Sequence, residues 1–263
     1  MKLALSNLSF AGFEYPNLKK LPISMGLEIF YEFGSDDYWN EVLTDLYPSG
    51  SSEGFSIHAP CISINLADIE KQNYLAIYKN LFIFAQKWQA DYVVVHTNES
   101  LAGEKYTLQN LVKERLLKIL DLAALYNVPI LIENVGLYNK KTLLYDQQDF
   151  FDLIIDLNAN VLLDIGHATV NDWSLPELIQ SLDSRLKAFH LHDNHGIIDE
   201  HLPIGQGTVD WQSIFTNIKA SVPTAIMVFE YAHVTMEQAL HNIDIVKTKW
   251  LDAEQTATKP LIF

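Results

Sequence analysis

The sequence predicts an α/β chain closed into a single (β/α)8 barrel. Three observations carry this reading: eight short apolar runs rich in Val, Ile and Leu, helical patterns between them, and a length of 263 residues that suits one such barrel. The runs fall at 2–8, 26–30, 55–58, 92–96, 129–133, 161–164, 188–192 and 225–230. Strands that read as continuous apolar runs and alternate with helices imply a parallel sheet covered by those helices. Eight such units favour closure over an open doubly wound sheet.

The intervening segments follow in order. The first crossover, about 10–22, is short and its helical pattern is weak. Segments 72–89 and 107–126 repeat apolar residues at helical spacing, as helices with one buried face do. Segment 147–157 supplies a further helix. At 174–182 Ser174 stands as N-cap, with Pro176 in the first turn and Glu177 three residues after the cap, the capping-box arrangement. Helices at 212–220 and 235–249 complete the set. No Pro/Gly/Ser-rich linker, sharp repeat or low-complexity block marks a second domain. Residues 1–263 are therefore expected to form one barrel domain, with a loosely held tail at 253–263.

Composition narrows the partners. The formal net charge is −15, and an acidic surface repels a polyanion, whereas duplex binding draws most of its affinity from neutralised phosphates. The balance leans away from nucleic acid and towards a small substrate. The single cysteine, Cys61, rules out an intrachain disulfide and suits a reducing compartment. Ser6, Asn7 and Ser9 interrupt any signal-like apolar run at the start. No stretch approaches the ~20 apolar residues of a membrane span. A cytoplasmic protein with no membrane association is expected.

The chemistry concentrates at strand ends. Six runs finish on a residue able to hold a metal: His58 in FSIH, His96 in YVVVH, Glu133 in PILIE, Asp164 in VLLD, His190 in AFH and Glu230 in IMVFE. Their mean spacing of about 34 residues matches one βα unit. In a barrel the C-terminal strand ends converge on one mouth, where active sites of this architecture sit. A metal site requires that convergence, since its ligands must lie within ~2.0–2.3 Å of one ion. One strand-end Asp or His more often caps a helix or ties down a loop. Six in succession point to a shared metal centre.

Segment 187–211, KAFHLHDNHGIIDEHLPIGQGTVDW, holds four of the nine histidines. Imidazoles and carboxylates together suit zinc, manganese, cobalt or iron. His190 and His192 share one face of their strand. They cannot both be equally placed for one ion, so His190 is the first choice and His192 stands behind it or faces substrate. Asp164 and His167, three apart, are either a ligand pair or a helix cap. Asp199 and His201 lie on one side of an expected extended loop, as ligands or as part of a solvated acidic stretch. Gly205-Gln206-Gly207 either offers backbone amides to an anion or makes a tight turn. His195, His233 and His241 read as ordinary surface or packing residues, and Trp88, Trp173 and Trp211 as packing.

With these residues assembled, the chain resembles the xylose isomerase-like TIM-barrel superfamily, which includes sugar and sugar-phosphate isomerases and epimerases and the endonuclease IV family. The resemblance runs from about residue 58 to 230. It rests on HAPCISINLAD, LIEN, DIGH and HLHDN…DEHLPIGQGTVDW. The isomerase pattern, one divalent ion held by a Glu-Asp-His-Glu set, falls on Glu133, Asp164, His190 and Glu230. In ketose epimerases the two glutamates also move the proton. The endonuclease IV pattern holds three zinc ions; it adds His58 and His96 sharing Glu133 at one, and His167, Asp199 and His201 at another. All nine positions carry the matching residue type.

Departures count on both sides. The tyrosine usual three residues after the first ligand histidine of endonuclease IV is Cys61 here. The opening segment with a histidine and paired glycines is absent, and so is an Arg-rich loop for gripping a duplex. Against ketohexose epimerases, Asn139 stands for a second glutamate and Gly196 for an arginine, while His167 falls on a substrate-binding histidine.

The resemblance therefore implies one to three divalent ions (Zn, Mn, Co or Mg) and a sugar-like small-molecule substrate. The leading expectation is a metal-dependent isomerase or epimerase of a sugar, sugar phosphate or small hydroxy-ketone. Glu133 and Glu230 serve it as catalytic base and acid, with His167 and His192 contacting substrate. The alternative is a trinuclear-zinc phosphodiesterase, and a third is a metal-dependent binding protein without turnover.

Overall fold

A computed structural model describes residues 1–10, 15–47 and 54–252 of the chain. The apolar runs form β1 (Leu3–Ser6), β2 (Gly26–Phe30), β3 (Phe55–His58), β4 (Val93–His96), β5 (Ile130–Glu133), β6 (Asn160–Asp164), β7 (Leu186–Leu191) and β8 (Ile226–Phe229). Each pairs in parallel with the next, and β8 returns to β1 to close the barrel. β1 is shorter than expected because Asn7–Phe10 winds into a 3-10 turn. There the Asn7 side chain accepts the Phe30 backbone N–H at 2.8 Å.

Side chains alternate along each strand, and the alternation sorts two cores. Ile57, Val93, Val95, Ile132, Leu163 and Phe189 point outward to pack beneath the helices. Tyr92, Val94, Leu131, Leu162 and Ala188 face inward and fill the barrel as a separate apolar cluster. Two residues further along these strands, the same inward face carries His96, Glu133, Asp164 and His190. The ladder registers set His96 beside Glu133 and Asp164 beside His190.

The helices are α1 (Tyr15–Leu18), α2 (Asp36–Leu46), α3 (Tyr74–Lys87), α4 (Lys105–Leu125), α5 (Gln147–Leu157), α6 (Ile165–Val170), α7 (Leu175–Leu182), α8 (Trp211–Ser221) and α9 (Met236–Val246). α2 and α6 were not expected. α2 is started by Ser35, whose hydroxyl accepts the Tyr38 N–H at 3.2 Å. The weak first crossover holds one helical turn, α1, and residues 11–14 lie outside the described residues, as does the expected tail at 253–263.

The expected capping box at Ser174 does not form, since its side chain makes no cap bond. The Ser174 backbone N–H instead donates to Gln147 Oε1 at 2.6 Å. The reciprocal box occurs at α9, between Thr235 and Gln238. Among the described residues no helix is long and apolar enough to cross a membrane.

Candidate metal centre

The inward-facing strand ends meet in a buried cluster at the mouth. Glu133, Asp164, His190 and Glu230, from β5 to just beyond β8, are each 3% exposed or less. His190 sits at the centre: its Nδ1 lies 3.4 Å from Glu133 Oε1, 3.7 Å from Asp164 Oδ2 and 3.4 Å from Glu230 Oε2. On its far side Nε2 donates to Glu28 Oε1 at 2.6 Å, and Ser56 Oγ donates to the other Glu28 oxygen at 2.8 Å. A carboxylate only accepts, so Glu28 fixes the imidazole with its proton on Nε2. Nδ1 is left as a buried nitrogen with no hydrogen-bond partner.

The same construction recurs on both flanks. His58 donates through Nδ1 to Ala59 O at 2.9 Å, and His96 through Nδ1 to Glu99. Their Nε2 atoms then face each other at 3.0 Å, 3.5 and 3.1 Å from Glu133 Oε2. Across the mouth, His167 donates through Nδ1 to Asn134 O and His201 through Nδ1 to Glu230 O, both at 2.9 Å. Their Nε2 atoms converge on Asp199 Oδ2 at 3.2 and 3.1 Å. Five imidazoles thus turn a lone pair inward, towards carboxylates that are acceptors too. Acceptors gathered around a point, with each outer N–H anchored, are how metal-binding histidines are oriented.

Electrostatics follow the same logic. Burial alone would push the imidazoles down, but the carboxylates outweigh it. Glu133 and Glu99 raise His96 to about 10, and Asp199 and Glu230 raise His201 to about 9. Asp164 and Asp199 lift His167, and Glu230, Glu133 and Glu28 lift His190, both well above the ordinary range. Burial would likewise raise Glu133, yet His96 and His190 hold it well below its usual value. This concentration of negative charge is answered by protons on the histidines or by cations. Because the orphaned Nδ1 of His190 faces three carboxylates, the residues fit a divalent cation.

DIGH owes its form to this packing. Asp164 Oδ1 caps α6 by accepting the His167 N–H at 2.6 Å. Gly166 is required because a Cβ there would lie 1.9 Å from the His192 ring. His192 is fully buried, with Nε2 3.0 Å from Asp164 Oδ2 and its ring stacked on His201 at 3.9 Å between centroids. Of the two roles the sequence left open for it, this burial favours bracing Asp164.

The loop at His201 is not extended, its φ of 49° being left-handed, and that twist aims the imidazole back at Asp199. Glu200 turns away to bind His195. Within the Gly205–Gly207 turn the Gln206 N–H donates to Pro203 O at 3.1 Å. The turn wraps the buried Asp193, which accepts from Gly205 N at 2.8 Å, Val209 N at 3.2 Å and Trp211 Nε1 at 2.9 Å.

Sequence reasoning assembled all nine proposed ligands but missed Glu28, Glu99 and Asp193. For Glu28 the available signal was a lone charge inside the apolar run GLEIF.

The model of the family described as Xylose isomerase-like TIM barrel matches residues 26–251. An uncharacterized protein of Methanocaldococcus jannaschii is 25% identical over 170 residues, 63% of this chain and 66% of that relative. The chain thus spans just under two thirds of that curated relative's length. Among solved structures, a D-tagatose 3-epimerase-like protein superposes with a TM-score of 0.80 at 21% identity, covering 94% of this chain and 96% of that one. The IOLI protein with a bound zinc atom gives 0.73 at 16% identity, covering 96% and 100%. An AP endonuclease of family 2 from Brucella melitensis gives 0.73 at 14% identity, covering 91% and 97%.

Proposed function

The chain belongs to the xylose isomerase-like TIM-barrel family, and from that premise we propose that it is a divalent-metal-dependent isomerase or epimerase of a sugar, sugar phosphate or small hydroxy-ketone. The observation that carries this is the convergence of Glu133, Asp164 and Glu230 on the unpartnered Nδ1 of His190. These four residues would hold the ion. When bound, a divalent ion supplies Lewis acidity towards the oxygens of a hydroxy-ketone, which acidifies the neighbouring C–H.

The chain's own groups do the rest. Glu133 is held ionised by His96 and His190, so it serves as the base that takes the substrate proton. Glu230 enters from beyond β8, with Ser6 Oγ 3.4 Å from its Oε1, and returns a proton to the adjacent carbon or to the other face. Two carboxylates brought to one substrate from different strands can hold opposite protonation states, as the transfer needs. Glu28 keeps the His190 tautomer fixed throughout. His167, whose side chain is 12% exposed at the mouth, contacts substrate, and His192 braces Asp164. That the solved neighbours include a D-tagatose 3-epimerase-like protein supports the reaction class. Incubating metal-loaded protein in deuterium oxide with a panel of ketoses tests it: label appears at the carbon beside the carbonyl, and its absence across the panel defeats the reading.

A second reading has its own support. The flanking acceptor clusters, His58 with His96 and Glu133, and His167 with Asp199 and His201, match a three-ion hydrolase of phosphodiesters, and a family 2 AP endonuclease is among the solved neighbours. The charge of −15 counts against a nucleic-acid substrate. Three zinc ions per chain together with cleavage of an abasic duplex would favour hydrolysis. Enzyme that labels ketoses and leaves the duplex intact favours isomerisation.

A further inference from the structure

We propose that Cys61 is a metal ligand, and that with His58, His96 and Glu133 it makes the outer flank of the mouth a closed, zinc-selective site. The proposal rests on reading the mouth as a metal centre, but not on which reaction the centre serves.

His58, Cys61 and His96 offer ligand atoms that all lie within 4.8 Å of one another. The cysteine does not stand alone. Nε2 of the buried His58 is 3.0 Å from Nε2 of His96, and each ring has committed its other nitrogen to an acceptor, Ala59 O and Glu99. Two Nε2 atoms therefore face each other beside the Glu133 carboxylate, a gap that a proton closes in the metal-free chain and that a metal ion, displacing that proton, closes in the loaded one. Phe30 stacks on His58 at 4.1 Å between centroids, which holds the imidazole plane in place.

The segment that brings the thiol in is itself held. Glu32 accepts the backbone N–H groups of Cys61, Ile62 and Ser63 at 2.8, 2.8 and 3.0 Å. Three amides on one carboxylate fix the turn after β3 and keep Cys61, 8% exposed, turned inward.

The chemistry of the donor set gives the selectivity. Two imidazoles, a thiolate and a carboxylate satisfy the four-coordinate preference of zinc and leave no open position, as in structural rather than catalytic zinc sites. A thiolate ligand favours zinc or cobalt over magnesium and manganese. The thiol gives up its proton on binding, so metal uptake here releases a proton to solvent.

Cobalt reports the bond directly. Cys61 is the only cysteine in the chain, so any thiolate-to-cobalt charge-transfer band in the near ultraviolet comes from it. The full chain loaded with cobalt is expected to show that intense band as well as weaker visible bands. Cys61→Ser is expected to lose the near-ultraviolet band, keep visible ones, and retain one tightly held zinc fewer per chain under chelator competition. Visible bands without the charge-transfer band in the unaltered chain would overturn the proposal while leaving the metal centre standing. Failure to take up cobalt at all would overturn both. The unaltered chain alone decides, so the test survives a Cys61→Ser variant that fails to fold.

Discussion

Two layers of the barrel interior, one pleat apart on the same strands, are built on opposite principles. Val94, Leu131, Leu162 and Ala188 fill the lower layer, and two residues on, His96, Glu133, Asp164 and His190 fill the upper. The lower layer is stabilised by removing apolar surface from water and by close packing. The upper layer is nearly as buried, yet it gathers acceptors that cannot satisfy one another. The strands and their registers are common to both. A barrel stiffened by one layer can hold the other in an arrangement that isolated side chains would not adopt.

The comparison breaks most visibly at the reacting groups. Replacing Glu230 with Gln should lower turnover by about 10²–10⁴-fold, the usual contribution of a positioned acid or base. Circular dichroism should stay unchanged, and deuterium incorporation reads the loss. Leu131→Ala, one layer down from Glu133, should do the reverse. It costs about 2–5 kcal/mol of stability by emptying a packed site, seen as a lower denaturant midpoint, while metal content per folded chain is kept. Glu28→Gln is smaller again. A weakened outer partner for His190 should reduce metal affinity by about 10–100-fold, measured by competition with a chelator, with little change in unfolding.

The smallest effect sharpens the electrostatic side. In the metal-free chain His96 and His201 are raised to about 10 and about 9, against about 6.5 when unfolded. Raised values mean that the folded state binds these protons more tightly. Their stabilisation is whole below pH 6.5 and is lost as pH climbs through 9 to 10. The thermal midpoint of chelator-treated protein should therefore fall over that window. The metal-loaded protein should not follow it, because binding has already displaced the protons.

Much of this was legible in the sequence. Each strand-end ligand ends an apolar run, so period-two alternation and the barrel rule together placed His58, His96, Glu133, Asp164, His190 and Glu230 at one mouth. Glu28 was only faintly legible, as a lone charge inside GLEIF, because its run ends on Phe30 and the residue acts from inside β2, through His190. α2 carried its signal too, with Trp39, Val42, Leu43 and Leu46 at i, i+3, i+4 and i+7 behind a Ser35 cap and the acidic first turn of Asp36 and Asp37, and it went unread because it is short and lies between two strands in the weakly patterned first third of the chain. At Ser174 the local pattern pointed to a capping box, but contact with Gln147 of α5 took the backbone N–H instead. Local signals mark where a helix begins; they do not show which neighbour reaches its end first.

The most direct measurement is anomalous scattering from a crystal grown with zinc or manganese. The expected result is an ion bonded to Nδ1 of His190 and to carboxylate oxygens of Glu133, Asp164 and Glu230, with Nε2 of His190 still on Glu28. A mouth without an anomalous peak, or an imidazole turned so that Nδ1 leaves those carboxylates, would contradict the account.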